Sequence, residues 1–283
     1  MKINKIAILG YPISHTLSPM IHNYWLKELH INGKYEAIKT PINYLKKTIE
    51  KLYKSGYKGL NLTIPLKEEA LKYLNNKDKI VDIIGAANVL VFLKQGLIEG
   101  KNTDVYGFKK SLTKLVKRKK REMAIIIGSG GAARAVLYAL IEMKYKEVVL
   151  FNRTRKNAER VKKKFLKNFI SNLKTKIVCN NLKNIKKNLE QTDLLINTTP
   201  MGMKGFPVLN IDVKKLKKNS AVFDLIYNPL ETKLIKDSKK RGIKNINGLD
   251  MLLYQAQQSF YYWLNKTPKI TKKLKKILEK EIK

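Results

Sequence analysis

Apolar and polar positions divide the chain into short apolar runs of strand length and longer stretches striped at helical spacing. Lys5 to Pro12 predicts a strand and a turn, and Ile21, Tyr24, Trp25 and Leu29 predict one face of a helix running through His30. Tyr35 to Thr40 reads as a second strand, followed by a helix from Tyr44 to Lys54 that turns Leu45, Ile49 and Leu52 inward. Gly59 to Pro65 is a third strand, stopped by its proline, with a helix from Lys67 to Leu74 behind it. Three strand and helix pairs in succession make a parallel α/β layer, in which ligands gather beyond the carboxyl ends of the strands. After Gly85-Ala-Ala-Asn88 the pattern becomes a hairpin, Val89 to Leu93 and Leu97 to Glu99 around Gln95-Gly96. Tyr106 to Val116 then predicts a helix leading into a second α/β region.

That second region is organised around the stretch from Met123 to Arg134. A strand-like run, Met123 to Ile127, meets Gly128-Ser129-Gly130-Gly131, and helical spacing continues from Ala132 to Ile141. The glycines fit the pattern G-x-G-x-x-G/A with Ala133 in the third place, so Gly130 would let the backbone approach a pyrophosphate. Backbone amides at the start of the helix would then receive the phosphates. The next strand, Lys146 to Phe151, ends in Asn152-Arg153-Thr154-Arg155-Lys156. An acidic residue there would bond a ribose hydroxyl and repel a 2′-phosphate; Arg153 can pair with that phosphate, so the expected cofactor is NADP rather than NAD. The same cations would also serve as the solvated start of a helix. Strands at Lys176 to Asn180, Asp193 to Asn197 and Ser220 to Ile226 continue the alternation and predict a doubly wound sheet. Asn197 to Met203 is either a proline-stopped loop or a border of the nicotinamide. A helix opening at Gly248 and a last one striped by Ile270, Leu274, Ile277, Leu278 and Ile282 are expected to pack back on the first domain.

Charge is the one feature of composition that alters this picture. With 59 Lys and Arg against 22 Asp and Glu, the net charge is +37, which raises the question of a nucleic-acid partner. The lysines are scattered over almost every helix, and no recognition motif or aromatic interleaving accompanies the densest block, Lys117 to Arg121. The expectation is therefore no specific nucleic acid, only salt-sensitive sticking. No apolar run reaches the roughly 18 residues of a membrane span, and the chain enters a strand directly, so neither a membrane segment nor a signal peptide is expected. Cys179 is the only cysteine, which excludes an intramolecular disulfide and suits a reducing cytoplasm. His15, His22 and His30 lack a cluster of Cys or acidic partners, so no metal site is expected.

Candidate chemistry sits at strand ends. Ser18 and Pro19 read as an N-cap and first helical residue, and Thr16 and Ser18 equally present hydroxyls where a carboxylate would be held. Lys67 is either a surface ammonium or an acid in a site. Asn88, Asn102 and Asp104 are either turn residues bonding their own backbone or polar groups facing a ligand.

In order along the chain, Gly10-Tyr-Pro-Ile-Ser-His-Thr-Leu-Ser-Pro19, Asn61-Leu-Thr-Ile-Pro-Leu-Lys67, Gly85-Ala-Ala-Asn88, Asn102-Thr-Asp104, Gly128-Ser-Gly-Gly-Ala132, Asn152-Arg-Thr154, Asn197-Thr-Thr-Pro-Met-Gly202 and Gly248 to Phe260 together resemble shikimate dehydrogenases over nearly the whole length. The resemblance implies reversible NADP-dependent reduction of 3-dehydroshikimate to shikimate, a step in making aromatic amino acids, by a monomer or homodimer. It implies an α/β fold with an N-terminal substrate domain, residues 1–103 completed by C-terminal helices at 248–283. A doubly wound Rossmann NADP-binding domain would occupy 104–247, with the active site in the cleft between the two. By motif match Lys67 becomes the catalytic lysine and Asp104 its carboxylate partner. Thr63, Asn88, Asp104 and Gln255 would bind ring hydroxyls, Thr16 and Ser18 the carboxylate, and Tyr227 would lie near the substrate. Gly128, Ser129, Gly130, Gly131 and Ala132, with Asn152, Arg153, Thr154, Arg155, Lys156 and Asn157, would hold the NADP phosphates, and Leu225 and Gly248 would lie near the nicotinamide.

Four positions depart from the family pattern. Thr16 replaces a commoner serine at a place that also varies in quinate-accepting members, Ala87 replaces a frequent valine, Lys79 stands where an acid is common, and Asn157 where arginine is common. The alternatives are a quinate/shikimate dehydrogenase using NAD and a non-enzymatic dinucleotide-binding regulator, which would have no use for the pair Lys67 and Asp104.

Overall fold

A computed structural model describes residues 3–116, 121–168 and 173–282, so the basic block at 117–120 lies outside them. The chain forms two compact units, Met1–Gly107 with Leu253–Glu281, and Phe108–Leu252 with Ile282–Lys283. The first contains β1 (Asn4–Gly10), α1 (Ser18–Glu28), β2 (Gly33–Lys39), α2 (Leu45–Lys54), β3 (Tyr57–Leu62), α3 (Leu66–Glu69), β4 (Asn76–Lys77), α4 (Lys79–Ile84), β5 (Val89–Phe92) and β6 (Ile98–Lys101). The unit boundary falls inside α5 (Asp104–Leu115). The second unit carries β7 (Met123–Ile127), α6 (Gly131–Glu142), β8 (Glu147–Asn152), α7 (Arg155–Asn168), β9 (Lys176–Asn181), β10 (Leu194–Asn197), β11 (Ala221–Asp224), α8 (Lys233–Lys240) and β12 (Lys244–Ile246). α9 (Leu249–Leu264) begins there and returns the chain to the first unit, where α10 (Lys272–Glu281) ends it.

In the first unit the sheet runs β2-β1-β3-β5-β6-β4. β1, β2 and β3 are parallel as their spacing predicts, and the hairpin of β5 and β6 adds antiparallel to β3. The inward face of α2, Leu45, Ile49 and Leu52, packs on Ala7, Leu9, Leu60 and Leu62 of the sheet. The helix expected from Lys67 to Leu74 is a single turn followed by a 3-10 segment, Ala70–Tyr73. It stops because the Asn75 side chain accepts from the amide of Ile98 at 2.8 Å, drawing the chain into β4 beside β6. Neither β4 nor α4 stands out in the apolar pattern, since two residues show no period. The ends of α4 are nonetheless chemically marked: Asp78 accepts from Val81 N, and Gly85 takes φ 67° at the close. Gly59 has no room for a side chain, because a Cβ there would lie 2.2 Å from the carbonyl of Leu90 and 2.3 Å from Trp263 Nε1. That contact lets Trp263 donate to Leu90 O at 2.9 Å and fastens α9 to the sheet.

The second unit is a six-stranded parallel sheet ordered β12-β11-β10-β7-β8-β9. Counted from β7, this is the doubly wound order, with the topological switch between β7 and β10. Every residue of β7 is buried, as a strand covered on both faces requires. The crossover from β9 to β10 uses 3-10 turns at Leu182–Lys187 and Leu189–Gln191 rather than an α-helix. Among the described residues no helix is long and apolar enough to cross a membrane.

His22 on α1 is fully buried in an aromatic box. Its ring stacks on Tyr35, with centroids 4.2 Å apart, and lies against Phe260, Trp25 and Trp263. Among the described residues, neither ring nitrogen has a hydrogen-bond partner. Burial pushes the imidazole pKa down from 6.5 to about 3. Between those values the unfolded chain binds a proton that the folded chain refuses, so this residue's contribution to stability falls as pH drops through the window. We expect His22→Phe to gain on the wild type by up to about 1.4 kcal/mol per pH unit once the pH is well below about 6.5, or about 1.7 kcal/mol between about pH 6.5 and about pH 5, in urea unfolding. A stability difference independent of pH would show the imidazole hydrated or paired in solution.

Candidate active site

Lys67 and Asp104 come from separate strand ends of the first unit. Beyond β3 the amide of Thr63 donates to Leu9 O at 2.9 Å, continuing the ladder before the chain turns into α3. The carbonyl of Lys67 then accepts from Ala87 N at 2.9 Å, which ties α3 to the segment entering β5. Asp104 opens α5, where Asn102 Oδ1 accepts from the Asp104 amide at 3.1 Å and Asn102 Nδ2 donates to Ala86 O at 2.9 Å. These anchors bring Lys67 Nζ to 2.5 Å from Asp104 Oδ2, with side-chain exposures of 17% and 8%. Lys67 is therefore a largely buried, paired ammonium rather than a surface one.

Asn88 completes the pair. Its Nδ2 donates to Asp104 Oδ1 at 2.8 Å, so each carboxylate oxygen faces a donor, and its Oδ1 accepts from Thr103 N at 2.7 Å. Gln255 on α9 places Oε1 at 3.3 Å from Asn88 Nδ2. Ser259, one helical turn further, lies within 3.1 Å of Thr103 Oγ1 and 3.2 Å of Asn61 Nδ2. Asn61 in turn accepts from the Tyr35 hydroxyl at 2.7 Å. One chain of hydrogen bonds thus runs from Tyr35 to Lys67. Thr16 Oγ1 donates to Ser18 Oγ at 3.2 Å.

Four of the expected site residues, Lys67, Asn88, Asp104 and Gln255, lie on this network, while Thr16 and Ser18 bond to each other. Ser18 is not a cap: Leu17 already has helical dihedrals, Thr16 Oγ1 accepts from the Ser18 amide at 3.3 Å, and the buried Ser18 side chain turns inward. Thr63 is half-buried at the end of β3, and no hydrogen bond joins its hydroxyl to the network among the described residues. Tyr227 belongs to the second unit, where burial raises its pKa. Tyr35, Asn61, Thr103 and Ser259 were not singled out by the sequence. Asn61 is a polar residue inside an apolar strand, and Ser259 shares a helix face with Gln255; both facts were available as signals.

The glycine turn of the second unit has the shape a dinucleotide needs. Gly128 takes φ +118°, and a Cβ there would sit 2.4 Å from Thr198 Oγ1, so the turn at the topological switch requires glycine. A Cβ on Gly130 would meet nothing within 4 Å, and this N-cap of α6 has no side-chain partner. The first amides of α6, with Ser129, Gly131 and Ala132 around them, therefore border open space. Gly128 N donates to Phe151 O at 2.8 Å, so Asn152 and Arg153 leave the adjacent strand beside the turn. Asn152 Nδ2 donates to Thr154 O and Asn181 Nδ2 to Arg153 O, both at 3.0 Å, shaping that loop. Arg153, Thr154, Arg155, Lys156 and Asn157 are all exposed. The Arg155 guanidinium is held by Glu159 at 3.2 Å, while Arg153 and Lys156 form no ion pair among the described residues. An uncapped helix start beside unpaired cations, with no carboxylate in the loop, fits a dinucleotide carrying an additional phosphate.

Leu225 and Gly248 are in backbone contact: a Cβ on Gly248 would lie 2.0 Å from Leu225 O, and Gly248 N donates to Ile226 O at 2.9 Å. Beneath them Asp224 is fully buried and accepts from Thr232 Oγ1 at 2.6 Å, Asn197 Nδ2 at 3.0 Å and Ile226 N at 3.2 Å. Burial pushes the Asp224 carboxyl up, against those three bonds. Asn197 also accepts from Thr199, so the loop after β10 is tied to the end of β11.

Residues 8–90 match the family described as the shikimate dehydrogenase substrate binding domain, and residues 110–230 match shikimate / quinate 5-dehydrogenase. A shikimate dehydrogenase (NADP(+)) of Bartonella quintana (strain Toulouse) is 37% identical over 282 residues, covering 98% of this chain and 93% of its own. Among solved structures, a shikimate dehydrogenase in complex with NADP+ is 35% identical with a TM-score of 0.89, over 99% of this chain and 96% of that one. A shikimate 5-dehydrogenase from Thermus thermophilus in complex with NADP(H) and shikimate is 31% identical with a TM-score of 0.82, over 94% and 95%. Identity sustained over nearly the full length of both chains, with both family domains in order, places this chain in the shikimate dehydrogenase family.

Proposed function

We propose that the protein interconverts 3-dehydroshikimate and shikimate with NADPH and NADP+, in the biosynthesis of chorismate and aromatic amino acids. The observation that carries this reading is the buried pair of Lys67 and Asp104, closed by Asn88, in a chain of this family. When bound, the reduced nicotinamide supplies hydride to the carbonyl carbon. The chain itself must then stabilise the oxygen that becomes an alkoxide. Lys67 Nζ is a preorganised cation for that oxygen, and it gives up one of its protons to form the alcohol. Asp104 keeps the ammonium in place and, with Asn88 Oδ1, offers acceptors to neighbouring ring hydroxyls. In the oxidative direction Lys67 takes the hydroxyl proton back, and solvent restores its state between turnovers.

Thr63 and Gln255 would bind further ring hydroxyls, with Tyr227 near the substrate, while the hydroxyls of Thr16 and Ser18 would turn to the substrate carboxylate. The cofactor would be held by the amides from Gly128 to Ala132 and by the loop from Asn152 to Asn157, where Arg153 and Lys156 are available to a 2′-phosphate. Leu225 and Gly248 would border the nicotinamide. The domain division proposed is residues 1–103 with 248–283, and 104–247. The enzyme is proposed to act in the cytoplasm as a monomer or homodimer. The NAD-dependent quinate alternative lacks support in a loop that carries cations and no acid.

The direct test follows the absorbance of reduced nicotinamide with purified protein, shikimate or quinate, and NADP+ or NAD+. Turnover confined to quinate with NAD+ would overturn the proposal. Lys67→Ala is expected to lower kcat by at least about 10²-fold with little change in the shikimate KM, because the ammonium acts mainly on developing charge. A near-normal kcat would remove Lys67 from the chemistry. Arg153→Ala should raise the NADP+ KM about 10- to 100-fold and leave kcat nearly unchanged, the loss expected for a charge-assisted bond to phosphate. An unaltered preference for NADP+ over NAD+ would contradict the role given to Arg153.

A further inference from the structure

We infer that Tyr35 is a positioning residue for the substrate pocket, its buried hydroxyl holding Asn61 and, through it, the polar groups beside Lys67 and Asp104. The inference rests on the reading of Lys67, Asp104, Asn88 and Gln255 given above. The ring is immobilised: Tyr35 is 1% exposed, stacked on His22 at 4.2 Å and flanked by Trp263 at 6.2 Å. Its backbone is clamped as well, because Asn23 Nδ2 donates to Tyr35 O at 2.8 Å and Asn23 Oδ1 accepts from Tyr35 N at 2.9 Å.

Counting protons shows what the hydroxyl does. A phenol has one hydrogen, and at 2.7 Å it goes to Asn61 Oδ1. That assignment points Asn61 Nδ2 at Asn88 O, 3.0 Å away, and at Ser259 Oγ, 3.2 Å away. Ser259 spends its own hydrogen on Gln255 O at 2.8 Å, so toward Thr103 it can only accept. Of the acceptors open to the Thr103 hydrogen, Ser259 Oγ is nearest at 3.1 Å, with Asn88 Oδ1 and Gln255 Oε1 at 3.3 Å, and Thr103 Oγ1 accepts from Asn88 Nδ2 at 3.0 Å. The second hydrogen of Asn88 Nδ2 goes to Asp104 at 2.8 Å. The chain of bonds that starts at Tyr35 thus reaches Asp104.

Without the hydroxyl, Asn61 Oδ1 becomes a buried acceptor lacking its donor. Asn61 would shift to find another, and its bonds to Asn88 O and Ser259 Oγ would loosen. Asn88 and Gln255, braced by these bonds, contact substrate in ground state and transition state alike, so the effect should appear in KM.

The test is Tyr35→Phe, which keeps the stacked ring. The shikimate KM should rise about tenfold, the scale of one buried orienting hydrogen bond, with kcat within about threefold and the NADP+ KM unchanged. A purely structural hydroxyl would lower the melting temperature and leave the shikimate KM alone. If Tyr35→Phe does not fold, Ser259→Ala tests the same chain from α9 and should raise the shikimate KM without moving that of NADP+. A shikimate KM within about twofold of the wild type in a folded Tyr35→Phe, or in Ser259→Ala where it must stand in, overturns the inference. A wild type that does not turn over shikimate removes the reading beneath it as well, which separates the two failures.

Discussion

The first unit depends on one buried amide. Asn88 sits at the start of β5, where its carbonyl accepts from Leu62 N and its amide donates to Lys101 O, so its backbone lies between β3 and β6. Its side chain then has to be satisfied within the protein, since an unpaired buried amide costs about 1–3 kcal/mol. The partners it finds are Asp104, Thr103 and Gln255, from two other elements. The strand pairing that builds the sheet therefore also assembles the pair of Lys67 and Asp104.

Buried polar groups are stabilising only when all are paired, and a partly satisfied network is worse than an apolar core. The first unit separates the two kinds of interior by face. One side of its sheet packs aliphatic residues of α2, α3 and α4, while the other carries the aromatic box of His22, Trp25, Tyr35, Phe260 and Trp263. The rigid rings of that box form the wall from which the polar chain starts. His22 is the exception within it, a polar ring tolerated by staying neutral.

In the second unit the equivalent constraint is close backbone approach. Gly128 against Thr198 and Gly248 against Leu225 are contacts that any Cβ would break. Both fall at carboxyl ends of strands, where the parallel sheet leaves room for a ligand. Asp224 works beneath them as a buried clamp, joining the loop after β10, the turn after β11 and the start of α8 through three hydrogen bonds.

Much of this was legible in the residues themselves. The apolar periods located the principal strands and helices, the glycines and Arg153 marked a tight turn with a cationic neighbour, and the ordered motifs identified the family, because these are local signals carried by adjacent positions. The sequence did not reveal β4 and α4, the 3-10 crossover, or the early start of α1 that turns Ser18 inward; β4, for one, is decided by β6, a partner distant in sequence. The pairing of Lys67 with Asp104 entered only through family resemblance; on composition alone Lys67 was one lysine among many. Tertiary structure decided it, and also decided the parts played by Tyr35, Asn61, Thr103 and Ser259. The physical reason is that a hydrogen-bond network is a property of positions in space, and the two ends of the bond from Asn61 to Ser259 lie 198 residues apart in the chain.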